Sequence, residues 1–130
     1  RGLQIIVIAE GGELHRHLPE DLPAHPATGQ RPTRVEAHID AASDLALALG
    51  TRAEVTAYHH QGIRAVRGEL RTVARHASGL TLAVEAASGS SVLGVQWHPE
   101  IDGAGGAGVF ESLLTAIRHR DTATTTPSLV

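Results

Sequence analysis

The sequence predicts an α/β layered domain, and three observations carry that reading. Short β-type segments are interleaved with helical ones along the 130 residues. Residues 92–97 (VLGVQW) are nearly continuous apolar, as expected of a strand covered on both faces in a mostly parallel sheet. Beyond a glycine-rich connection, 103–108, residues Val109, Phe110, Leu113, Leu114 and Ile117 recur at helical spacing and define an amphipathic helix.

The elements follow in order. Residues 3–9 (LQIIVIA) precede Gly11-Gly12 and fit a buried strand or a buried helix, which periodicity cannot separate. Residues 13–34 hold Pro19, Pro23, Pro26 and Pro32 with three histidines, and read as a loop or surface excursion. Weak alternation over 35–39 suggests a short strand. Ser43 then caps a helical turn, 44–49, that stops at Gly50. Residues 54–58, 70–76 and 80–86 read as strands, with Ser78-Gly79 and Ser88-Gly89-Ser90 as turn residues. Residues 122–130 are polar and Thr-rich with Pro127, a frayed tail.

Composition narrows the class of function. Eleven Lys+Arg against 14 Asp+Glu give a net charge of -3, and no basic run is sustained. Nucleic acid and anionic membrane surfaces are therefore not the expected partners. The length suits one domain. Cys is absent, which excludes disulfides, thiolate metal sites and a cysteine nucleophile among these residues. With aromatics at 2% and no Met, the core must be built from small and branched aliphatics. No apolar run approaches the roughly 20 residues of a membrane helix, and no secretory signal opens the chain, so a cytoplasmic protein is expected. An opening of Arg1-Gly2-Leu3 reads as a piece of a longer reading frame.

Chemistry concentrates in Gly94-Val95-Gln96-Trp97-His98-Pro99-Glu100. A buried strand delivers His98 to its C-terminal end, where open α/β sheets place ligands. Pro99 turns the backbone out of the strand. From two residues on, the Glu100 carboxylate can reach back to one imidazole nitrogen, set its tautomer and support the imidazolium. An isolated H-x-E would more simply be an exposed pair. His15-x-His17 lacks carboxylates in a ligand pattern, and no metal is expected. His25, His38, His76 and His119 read as surface residues, and Tyr58 fits either the core or a pocket edge. The glycines of 103–108 lack the Lys and spacing of a phosphate loop and read as a flexible connection.

The whole heptapeptide resembles the histidine-glutamate motif of the class I glutamine amidotransferase-like superfamily. His59-His60-Gln61-Gly62-Ile63 resembles the H-H-Q-A-I/V segment of its γ-glutamyl-γ-aminobutyrate hydrolase family. Residues 43–50 look like that family's S-x-L-x-x-x-x-G turn, and Leu18-Pro19-Glu20-Asp21 matches its L/I-P-x-x element. Arg1-Gly2-Leu3-Gln4 followed by Gly11-Gly12 is similar to C-R-G-x-Q-x-x-N-x-x-x-G-G, with Val7 in the place of Asn.

The resemblance implies part of a three-layer, flavodoxin-like fold with a mostly parallel sheet and the N-terminal βα units absent. Residues 1–120 would be the C-terminal portion of one such domain, with 121–130 a disordered tail and 3–9 the helix of the nucleophile elbow. It implies hydrolysis of γ-glutamyl amides such as γ-glutamyl-γ-aminobutyrate, an activity of polyamine degradation, by a Cys-His-Glu triad. The Cys would lie just before Arg1, outside these residues, leaving this chain inactive alone. His98 would be the base and Glu100 its orienting acid, with the Arg1 N–H in the oxyanion hole and Gln4, His60 and Gln61 on the substrate. No cofactor is implied. Expected partners are the small-molecule substrate and an N-terminal segment or a second copy of the chain. Two alternatives remain: a glutaminase module feeding ammonia to a synthetase, and a non-catalytic truncated relative.

Overall fold

A computed structural model of the chain describes residues 2–25, 31–57, 59–87, 92–99, 107–111, 114 and 118. Tyr58, Ser88-Gly89-Ser90, residues 101–106, Leu113, Ile117, His119 and the tail 121–130 lie outside the described residues. The ambiguous opening segment is a helix, α1 (Gly2–Ala9). Leu3 and Val7, one turn apart, are its buried pair, while Ile5 and Ile8 stay exposed. Val7, at the position of the family's Asn, is wholly buried core.

Gly12 ends this turn at a place where no side chain fits. A Cβ there would lie 2.5 Å from the Ala65 carbonyl oxygen and 2.8 Å from that of Val7. The stretch expected to be loop instead carries β1 (Glu13–His15) and the single turn α2 (Leu18–Asp21). Proline misled that reading: Pro19 sits in the first turn of α2, where its missing N–H costs nothing. Leu18, fully buried, pins the segment to the core.

β2 (Thr33–Ile39) buries Val35, Ala37 and Ile39 in strict alternation. The capped turn is α3 (Asp44–Leu49), where Ser43 Oγ accepts from Ala46 N–H at 3.1 Å and Gly50 takes φ +77°. Glu85, buried in the sheet, accepts from Asp44 N–H at 3.2 Å and Leu45 N–H at 2.8 Å, so two further first-turn donors are satisfied.

The remaining strands are β3 (Arg52–Ala57), β4 (Gly62–Ala65), β5 (Leu70–Arg75), β6 (Thr81–Ala86) and β7 (Leu93–Val95). They join one sheet of order β1-β4-β6-β5-β2-β3, with β7 also on β6. Every described pairing is antiparallel, which corrects the expected mostly parallel sheet. The connections explain why. Residues 76–80 join β5 to β6 and 87–92 join β6 to β7, far short of the dozen or so residues a parallel crossover needs.

The run 92–97 accordingly holds a short strand, β7, that pairs with β6. Its Gly94 faces α1, where a Cβ would come within 2.8 Å of Ile6 and 3.0 Å of Leu3. Leu93 and Val95 pack against the opposite, larger core with Leu18, Leu45, Leu82 and Trp97. A smaller core of Leu3, Val7, Ile63 and Val84 lies beneath α1. Residues 107–111 are helical, and Val109 reaches the larger core. No helix among the described residues is long and apolar enough to cross a membrane.

Candidate active site

Three segments distant in sequence meet beside α1. Gln4 shares the helix with Leu3, whose burial fixes that face against the sheet. Its Nε2 donates to the Gln61 carbonyl at 3.2 Å and to Gln96 Oε1 at 3.2 Å. Gln61 lies in the β3–β4 connection, and Gln96 follows β7. The ladder outlasts the strand: Gln96 N–H donates to Leu82 O at 2.7 Å, and His98 N–H donates to Thr56 O at 3.0 Å. Gln96 and Trp97 are buried, whereas His98 is half-buried. The segment thus spans from β6 to the end of β3 and stops with an imidazole at partial exposure.

Beneath the β3–β4 connection lies a row of imidazoles. His59 is buried, with Nδ1 2.9 Å from the Gln61 carbonyl and Nε2 3.3 Å from His25 Nε2. His25, only 2% exposed, has its Nδ1 3.3 Å from Ser78 Oγ. That hydroxyl is 2.8 Å from His76 Nδ1, which also accepts Ser78 N–H at 3.0 Å. Burial, then the neighbouring His59 and His76, push His25 down to about 4. His59 is lowered too, chiefly by burial, with the Gln61 hydrogen bond opposing and His98 adding repulsion. That repulsion places His98 within electrostatic reach of His59.

The structure brings some of the expected site residues together and separates others. Gln4 and Gln61 are joined, although through the Gln61 backbone carbonyl and not its exposed side chain. His60 turns away: its Nε2 lies 2.7 Å from His17 Nδ1, and its carbonyl accepts Leu18 N–H at 3.0 Å. Arg1 and Glu100 lie outside the described residues. Gln96, His59 and His25 were not among the expected residues. Gln96 was legible inside the heptapeptide and His59 as the first residue of H-H-Q-G-I.

His25 carried no signal, since Pro23 and Pro26 flank it in a segment read as surface; it is buried instead. His76 is likewise partly buried, while His38 is exposed beside Glu36 at 3.0 Å. Among the described residues no three potential ligands group as a metal site would require. His15 lies 3.4 Å from Asp21, and His17 is taken up by His60. A groove of about 520 Å³ opens beside Gln61, with Ile8, Leu14, Arg16 and Arg64 on its walls.

Comparison with known proteins places this geometry. The family model described as peptidase C26 matches residues 1–100. A Mycobacterium tuberculosis protein named "Putative glutamine amidotransferase" is 40% identical over 102 residues, covering 77% of this chain and 33% of that protein. "Gamma-glutamyl-gamma-aminobutyrate hydrolase PuuD" of Escherichia coli (strain K12) is 36% identical over 132 aligned positions, 92% of this chain and 52% of that protein. The chain therefore spans between a third and about half the length of these curated relatives. In fold it is similar to the crystal structure of a "putative gmp synthase" protein from Thermoplasma acidophilum. There the TM-score is 0.68 at 13% identity, with 94% of this chain and 57% of that one covered.

Proposed function

Because the chain belongs to the peptidase C26 family, within the class I glutamine amidotransferase-like proteins, we propose that it is the C-terminal part of a γ-glutamyl amide hydrolase. In this reading the nucleophilic Cys lies outside these 130 residues. His98 holds the thiol proton as the thiolate attacks the γ-carbonyl, and passes it to the departing amine. Glu100 orients His98, and the Arg1 N–H donates to the oxyanion. Water then attacks the thioester, with His98 as base, and releases glutamate and the thiol.

The observation that supports this reading most is the Gln4 carboxamide. Both its N–H protons are taken, by the Gln61 carbonyl and Gln96 Oε1. Its own oxygen can only accept, and the α-ammonium of a γ-glutamyl group is a donor. Segment H-H-Q-G-I and the relative named as a hydrolase favour a small γ-glutamyl conjugate such as γ-glutamyl-γ-aminobutyrate. The relative named as an amidotransferase favours the second reading, a glutaminase module that passes ammonia to a synthetase.

One experiment separates them. The reading frame around Arg1 is sequenced, and its whole product is assayed on γ-glutamyl-γ-aminobutyrate and on glutamine. Faster turnover of the first substrate, abolished by His98→Ala, is the expected result. Preference for glutamine selects the module, and a folded product that turns over neither overturns both.

A further inference from the structure

The row of buried histidines has a direction that follows from one atom. The Gln61 carbonyl oxygen can only accept hydrogen bonds. His59 Nδ1, 2.9 Å away, must therefore carry a proton. In neutral His59 that leaves Nε2 as a lone pair, and it faces His25 Nε2 at 3.3 Å. The proton between the two rings accordingly belongs to His25 Nε2, so His25 Nδ1 is itself an acceptor. Its one neighbouring donor among the described residues is the Ser78 hydroxyl at 3.3 Å.

His76 Nδ1 lies closer to the same hydroxyl, at 2.8 Å, and accepts Ser78 N–H at 3.0 Å. The hydroxyl can donate to either ring, and the proton on His25 is set from the His59 side. Donation thus runs one way, from His25 through His59 to the Gln61 carbonyl, the atom that also receives Gln4. A second proton on the His25–His59 pair would set two N–H groups head to head in a buried space.

We propose that His25 is a positioning residue for the γ-glutamyl hydrolysis: it fixes the tautomer of His59, and through His59 holds the Gln61 carbonyl where it anchors Gln4. The proposal rests on the hydrolase reading for its link to turnover, but the arrangement of protons stands apart from it. No contact between His25 and substrate is invoked. Its effect passes entirely through the β3–β4 connection, which is why a residue from the far side of α2 matters to a glutamine on α1.

The test has two arms. In the first, the 130-residue chain labelled with ¹⁵N-histidine is examined by long-range ¹H–¹⁵N correlation near neutral pH. Neutral His59 protonated on Nδ1 and neutral His25 protonated on Nε2 are expected. In Ser78→Ala, which removes only the hydroxyl at a turn, His25 should keep its Nε2 proton, because His59 Nε2 fixes it from the other side. A folded parent chain with His59 protonated on Nε2, or with either ring charged, overturns the proposal.

In the second arm, the whole product is assayed. His25→Phe should raise KM by about tenfold, the worth of one hydrogen bond, with kcat little changed. His25→Gln, whose carboxamide N–H can still donate to His59, should recover most of that loss. Failure of Gln to recover more than Phe, in variants that fold equally, overturns the positioning role. A parent product inactive on γ-glutamyl amides overturns the hydrolase reading instead, and the tautomers still decide the proton arrangement.

Discussion

The carboxamides of Gln4 and Gln96 meet at 3.2 Å, joining α1 to the segment beyond β7 across 92 positions of sequence. Gln96 is buried, so its side chain is shaped by this contact and not by solvent. Replacing it with Leu keeps the volume but removes the acceptor. One Gln4 N–H is then left without its partner, and the amide is free to turn over. We expect Gln96→Leu to cost about 1–2 kcal/mol in a urea melt of the chain. In the whole product KM should rise more than kcat falls. A variant with unchanged stability and unchanged KM would show that the contact positions nothing.

His98 and Glu100 should differ in consequence. On the proposed mechanism, His98→Ala in the whole product is expected to abolish acylation, because it would remove the proton carrier. Glu100→Ala should leave a weaker but measurable rate, since an orienting acid tunes the base without taking its proton. Measured alone, the 130 residues should hydrolyse no γ-glutamyl amide, for they contain no thiol. Burst kinetics on the two variants distinguish acylation from later steps; equal, negligible effects would remove His98 from the mechanism.

Stability should fall as the solution turns mildly acidic. His25 has its pKa pushed down to about 4, by burial first and then by His59 and His76. The unfolded chain takes up a proton near the usual value of about 6.5, the folded chain only near 4. Unfolding therefore binds protons in this window, and stability that is complete above about pH 6.5 is lost progressively toward pH 4. His59 and His76, also lowered, act in the same direction. Urea midpoints should be lower near pH 5 than near pH 7.5, and His25→Gln should flatten that slope. An equal slope in parent and variant would contradict the assignment.

Glu85 ties α3 to the sheet by its carboxylate, with Arg71 3.6 Å away on its other side. Truncation to Ala would strand two N–H groups of the first helical turn and leave the Arg71 guanidinium without this neighbour. We expect Glu85→Ala to cost about 2–3 kcal/mol in thermal or urea unfolding, and Glu85→Gln distinctly less, because one oxygen remains to accept. A loss of only a few tenths would mean that water takes over the capping.

What the sequence revealed depended on how local each cause was. Ser43, Gly50 and the β5–β6 turn announce themselves through residue chemistry within a few positions. The opening helix could not be read from periodicity, since LQIIVIA is apolar on nearly every face and only the packing of Leu3 and Val7 selects a helix. Strand direction was misread because the apolar run at 92–97 was credited to a two-sided parallel strand. Its burial comes instead from Gly94 admitting α1 on one face. The contact between Gln4 and Gln96 was half visible, as both residues sit in motifs, but their meeting needs the fold. His25 was invisible, for its partners arrive from residues 59 and 76–78 through folding alone.

The position of β6 has a consequence for how the molecule comes apart. It is flanked by β5 along one edge, and by β4 and then β7 along the other. Its amides should be the last to exchange with deuterium, released only by global unfolding. The His98 segment continues from β7, through Gln96 bonded to Leu82 of β6 itself. Motions that fray α2 or the outer strand β1 can therefore pass without loosening that anchor, whereas fraying of β3 would release the His98 N–H from Thr56 O. Gln96 shares the fate of the most protected strand, while His98, two residues on, keeps its place only as long as the end of β3 stays paired.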